Sequence, residues 1–271
     1  MGRCERGGSA QPAGGEDDIA GDPCGVPGGE WARSLTPELK RAGSGGRGQV
    51  AVRAQGSAAE IQWPPDPADP TLYTMEDPRR GIRAVHSEST ITVYQAYSPE
   101  IGLPAVREGR FPARWKRDRM TWIKPSFLWM MYRCGWGSKA GQETVLAVEI
   151  SRDGFEWALR HAILSSYVRG VHPDQATWQR QLKHAPARVQ WDPERDLRLR
   201  PLPYRSLQLG LSGEAVRRYA DEWTVAIRDV TPLAREIHSL VSGGDLDSAA
   251  RLLPQERPYP TADGLLAHLR G

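Results

Sequence analysis

The run Phe127–Cys134 sets Phe, Leu, Trp, two Met, Tyr and Cys around a single Arg. Wound as a helix, it is apolar nearly all round, so it reads as a helix buried on most faces. The residues around it define its limits. Met120 to Ile123 is a short strand-like run. Pro125 suits a first helical turn, where no N–H is needed and φ is already helical. Gly135 offers a stop, because glycine accepts the left-handed cap conformation. Lys124, Ser126 and Arg133 are the polar groups left on this element. Buried groups of that kind need partners or a ligand, and free N–H groups at a helix start favour an anion. An anion pocket built from Lys124, Ser126 and Arg133 is therefore expected.

The rest of the chain divides at about Met75. Residues 1–74 hold half of the chain's 28 Gly, with no sustained apolar period. Such a segment buries too little surface to offset its ordering entropy, so it reads as a disordered tail. Residues 75–271 read as one globular domain. The net charge of +3 is uneven: 1–74 is net acidic and 75–271 net basic. The globular part thus favours anionic partners. Cys4, Cys24 and Cys134 have no paired spacing, and the six His are scattered, so neither a disulfide framework nor a metal site is expected. No run is long enough to cross a bilayer. With no secretion pattern at the N-terminus, a cytoplasmic protein is expected.

Strand and helix patterns are mixed along 75–271. Residues 90–97 are β-branched and aromatic, a strand. Ser98-Pro99 starts a helix with Ile101, Leu103 and Val106 inward; Pro104 makes it short or irregular, and Gly109 ends it. Residues 144–150 are a near-continuous apolar strand, central in its sheet. Helices follow at 153–164 and 174–184, then a strand at 188–191 and a turn at 192–195. In 206–211 leucines alternate with Gln208, which marks a strand with one polar position. A helix at 212–221, a strand at 223–229 and helices at 233–241 and 245–253 complete the order. There is no internal repeat and no regular βαβ alternation. The fold class is α+β: a single mixed-sheet domain with packed helices.

Four runs carry a resemblance. They are Ile91-Thr92-Val93-Tyr94-Gln95-Ala96-Tyr97, the stretch from Met120 through Met131, Gln190-Trp191-Asp192-Pro193-Glu194-Arg195, and Tyr204-Arg205-Ser206-Leu207-Gln208. They resemble the domain of unknown function 4291 family over about residues 80 to 260. That resemblance implies no activity. A second resemblance, to the opening of ADP-ribosyltransferase-like domains, lies in a strand ending Tyr94-Gln95, a short helix ending at Gly109, and later strands in the same order. It implies an NAD or ADP-ribose site. Gln95 stands where His is usual in that family, and Gln208 where a Glu grips a ribose hydroxyl.

Two functions follow. In the first, the domain binds NAD or another ADP-ribose-containing nucleotide. The resemblance then implies that Arg83, Tyr94 and Gln95 line the pocket, with Lys124, Ser126, Trp129 and Arg133 closing it. Gln208 would orient the ribose, so that Gln208 and Arg83 are the catalytic pair. In the second, the basic surface of residues 110–124, with Trp115 interleaved, binds nucleic acid without catalysis. Arg83, Arg133 and Gln208 should share one pocket if the first holds. The composition break also makes residues 1–74 dispensable, with Met75 expected as the true start. A chain beginning at Met75 should melt within a degree or two of the full chain in differential scanning calorimetry; a drop of several degrees would mean that the segment packs on the domain.

Overall fold

The computed structural model describes residues 80–261 and 264–269; the tail expected over 1–74 lies outside them. Within the described residues the order is β1 (Arg83–Ala84), β2 (Thr90–Tyr97), α1 (Pro99–Glu108), β3 (Thr121–Ile123), α2 (Phe127–Cys134), β4 (Thr144–Ser151), α3 (Arg152–Arg160) and β5 (Ala162–Leu164). Then come α4 (Gln175–His184), β6 (Ala187–Arg195), β7 (Pro201–Leu211), α5 (Glu214–Arg218), a π-turn at Tyr219–Trp223, β8 (Thr224–Asp229), α6 (Thr231–Gly243), α7 (Leu246–Leu252) and β9 (Arg257–Pro258). The fold is α+β.

The strands form three sheets. β2-β4-β8 is antiparallel, β3-β7-β6-β5 is mixed, and β1-β9 is a two-stranded pair. Only β5 and β6 run parallel in the second sheet. The two larger sheets meet where Tyr94 of β2 and Lys124, just past β3, exchange backbone hydrogen bonds of 2.7 and 3.3 Å. Gln95 reinforces this seam. Its Nε2 donates to Thr121 Oγ1 at 2.7 Å and to the Trp122 carbonyl at 3.2 Å, and its Oε1 accepts from Tyr219 Oη at 2.7 Å.

Both faces of β2 and β4 are covered, which accounts for their apolar run. Ile91, Val93, Leu146, Val148 and Ile150 enter one core with Ile123, Val189, Leu207 and Leu209 of the other sheet. Tyr94, Val145 and Ala147 enter a second core with Phe127, Met130 and Met131 of α2 and with Ala234 and Ile237 of α6. The apolar helix α2 is thus buried against β2 as expected. Its cap is Ser126, whose side chain accepts from the Trp129 N–H, so Pro125 lies before the helix and not in its first turn.

Several expectations are corrected. α3 stops at Arg160, and residues 162–164 form an edge strand instead of continuing it. Residues 192–195 are no turn; β6 runs through them, and Pro193 is accommodated where the register with β7 shifts. Trp223 closes the π-turn and precedes β8. α1 continues through Pro104 for ten residues, and Leu103 faces solvent. Ile101 and Val106 pack against the first core as expected, and Gly102 and Ala105 are the fully buried positions, where the helix lies close against β4. A Cβ on Gly102 would stand 2.5 Å from Thr144 Cβ.

That contact generates a prediction. Gly102→Ala gains about 1 kcal/mol of helix propensity but overpacks a tight site, which typically costs about 1–3 kcal/mol. Net destabilisation is expected in urea unfolding, and Thr144→Ala added to it should recover part of the loss. A stabilised single variant would show that α1 can move away from β4.

Candidate functional site

The strand register decides which side chains of the second sheet share a face. Trp122 pairs with Gly210 and Gly210 with Arg188; Gln208 pairs with Gln190, and Ser206 with Asp192. Alternation sends Ile123, Val189, Trp191, Leu207 and Leu209 into the core between the sheets. Trp122, Gln190, Asp192 and Gln208 are left on the opposite face. Gly210 allows Trp122 to lie across β7: a Cβ there would be 3.0 Å from the indole. The chain then turns at Pro125, and α2 passes over this face. Trp129 and Arg133, four residues apart, hang from one side of it.

The result is an open cavity of about 380 Å³. Trp122 and Trp129 supply aromatic wall; Lys124 and Arg133 supply cations; Asp192, Gln190 and Gln208 supply polar floor. The Asp192 carboxylate accepts from Gln190 Nε2 at 2.9 Å and from Gln208 Nε2 at 2.8 Å. Lys124 is 5% exposed, and its Nζ makes a single 3.3 Å hydrogen bond, to the Trp122 carbonyl. Burial, and then the Arg133 charge, push this ammonium down to about 7 from 10.5, against weaker opposing pulls from Asp192 and Cys134. Trp129 stacks on Tyr132, and the Arg195 guanidinium lies 3.6 Å over the Tyr132 ring. The Trp129 indole N–H is buried and has no hydrogen-bond partner among the described residues.

Four of the expected site residues therefore line the cavity: Lys124, Trp129, Arg133 and Gln208. Four do not. Gln95 is saturated by Thr121, Trp122 and Tyr219 at the sheet seam. Tyr94 is 2% exposed in the second core, edge-on to Phe127. Ser126 points away from the cavity and donates to Glu194 Oε1 at 2.9 Å. Arg83 sits in β1, its guanidinium 4.4 Å over the Tyr204 ring, so it does not join Gln208. The expected anion pocket at the start of α2 is also corrected, because the chain fills that position itself. Glu256 accepts from the Phe127 N–H at 2.6 Å. The carboxyls of Glu194 and Glu256 thus gather at the helix start, in the field of Arg83.

Gln190 and Asp192 were not among the expected site residues. Their signal was present: Val189 and Trp191 alternate with Gln190 and Asp192 as the leucines alternate with Gln208. The Asp-Pro dipeptide masked it by suggesting a turn.

A family model, domain of unknown function (DUF4291), matches residues 81–259. The chain belongs to this family. The DUF4291 span contains every residue of the cavity and of the Glu194–Glu256 pair. No curated protein matches the chain. No helix among the described residues is long and apolar enough to cross a membrane, and no cluster of three metal-ligating side chains is found among them.

The acid pair of this DUF4291 domain yields a pH prediction. Burial first, and then Glu194, hold Glu256 well above the ordinary 4.5. Glu194 is raised by burial as well. A carboxyl raised in the folded state keeps a proton that the unfolded chain has released, so stability falls as pH rises above 4.5. Glu256→Gln retains an acceptor for the Phe127 N–H and cannot ionise. It should melt higher than the parent near pH 8 and lose part of the parent's decline between pH 5 and pH 8. An unchanged pH profile would show that Glu256 does not carry the effect.

Proposed function

We propose that the DUF4291 cavity binds a nucleotide of the NAD or ADP-ribose kind. The observation that carries the reading is the joining of a guanidinium, a lysine amine, a carboxylate, two amides and two indoles in one cleft. Arg133 stands exposed on α2, suited to a phosphate, with Lys124 deeper. Trp122, half-buried in the cavity wall, offers a face for a planar ring. Asp192, held by the two glutamines, suits a ribose diol, since a carboxylate accepts from vicinal hydroxyls. The ADP-ribosyltransferase resemblance expects a carboxylate at the position of Gln208. Here the Gln208 amide is bonded to the Asp192 carboxylate instead, so Asp192 takes the ribose-gripping role and Gln208 positions it. In any transfer chemistry the cleft would contribute orientation and electrostatics.

Less supports the nucleic-acid alternative on residues 110–124. Trp115 is 4% exposed and stacked on Phe111, so it offers no ring to a base. Arg117 pairs with Asp221 at 2.6 Å, and Arg114 with Glu100 at 3.6 Å.

Calorimetric titration with ADP-ribose, NAD and a short single-stranded RNA tests the reading. Binding of ADP-ribose or NAD is expected. Arg133→Ala should weaken it about tenfold or more, the worth of a charge-assisted hydrogen bond, and Asp192→Asn should weaken it less. RNA binding without nucleotide binding would overturn the reading, as would an Arg133→Ala variant that binds as the parent does.

A further inference from the structure

The amine of Lys124 is buried in the cavity and has no counter-ion among the described residues. The carboxylate that shares its cavity is Asp192, yet no ion pair forms between them. Asp192 Oδ1 is taken by Gln190 and Oδ2 by Gln208, leaving the amine with one long bond to the Trp122 carbonyl. The backbone of Lys124 is locked to Tyr94, so the side chain cannot leave by moving its strand. Arg133 is the cation of the same cavity and disfavours a second positive charge. The remaining neighbour acting on it is Cys134, a buried thiol that burial keeps protonated. A buried lysine with these surroundings is a free amine for much of the time at neutral pH, and a free amine is a nucleophile.

We propose that Lys124 forms a covalent imine with the aldehyde of a phosphorylated sugar, such as the reducing-end ribose of ADP-ribose. This rests on the cavity's reading as a nucleotide site for the choice of sugar, though not for the reactivity of the amine. In the step, the Nζ lone pair adds to the carbonyl carbon, and the C=O π pair moves to oxygen. The two protons of the amine pass to that oxygen through solvent in the open cavity. The oxygen leaves as water, and a C=N bond replaces C=O. No oxidant or reductant is consumed. NAD, whose anomeric carbon is blocked by nicotinamide, would bind without forming the bond.

The test uses the full chain, with ADP-ribose and sodium cyanoborohydride to reduce any imine, and peptide mass mapping to find it. Glycolaldehyde phosphate serves as a second aldehyde that needs no nucleotide recognition. The chain has five lysines. At pH 7 about half of Lys124 is free amine, against about one part in a few thousand of an ordinary lysine, so roughly tenfold or greater preference for Lys124 is expected. Labelling should rise with pH through a midpoint near 7 and level off about one unit higher. It should vanish in Lys124→Met, whose folding is checked by melting, and NAD should label nothing. Calorimetry without reductant separates the two ideas. ADP-ribose that binds but leaves no adduct on Lys124, with glycolaldehyde phosphate also unselective, overturns the imine and leaves the nucleotide reading standing. Selective labelling by glycolaldehyde phosphate with no ADP-ribose binding keeps the reactive lysine and overturns the nucleotide. No preference for Lys124 with either aldehyde overturns the proposal.

Discussion

The two backbone hydrogen bonds between Tyr94 and Lys124 are the constraint on which the rest of the domain depends. They join a three-stranded and a four-stranded sheet that otherwise pack through side chains. Pairing ends there, because Pro125 has no N–H to continue it. The chain must leave the sheet, and it leaves directly into α2. One bridge and one proline therefore bring a helix across the polar face of the second sheet. The cavity is the space that remains between that helix and the strands. The Gln95 network secures the same seam from inside. It satisfies a buried amide, two hydroxyls and a carbonyl that would each cost about 1–3 kcal/mol if left unpaired.

Buried polar groups on either side of α2 meet different fates. At the helix start, Ser126 and Glu256 occupy the backbone N–H groups of Trp129 and Phe127, and Glu194 holds Ser126. This end of the helix is thus closed to a ligand. The two carboxyls there hold their protons more tightly than usual, since a carboxylate beside another in an apolar setting is costly. Under the helix, Lys124 yields the opposite result from the same physics. An ammonium with no counter-ion is expensive to bury, so the amine tends to lose its proton. The backbone N–H groups at the start of α2 are internally satisfied. The side of α2 that carries Trp129 and Arg133 faces a cavity with an amine, a guanidinium and a carboxylate whose own partners are amides.

Much of this was legible along the chain. The apolar run 127–134 had to be buried, the run 144–150 had to be covered on both faces, and Gln208 had to differ from the leucines around it. Those are local facts, set by residue type and by the 3.6- and 2-residue periods. Lys124, Trp129 and Arg133 were identifiable for the same reason, being close in sequence to a helix whose orientation their spacing sets. What the local patterns could not separate was Gln95 from Gln208. Both are amides on apolar strands. Only the partners, Tyr219 and Thr121 for one and Asp192 for the other, make the first structural and the second part of a cavity. Arg83 and Glu256 are further examples. Each is ordinary in its own segment, and each takes its role from β1 and β9 pairing across the ends of the described domain. Residue periodicity decides which side chains are buried. Strand order and register decide which buried polar groups meet, because hydrogen bonds and charge interactions act over a few ångströms between segments far apart in the chain.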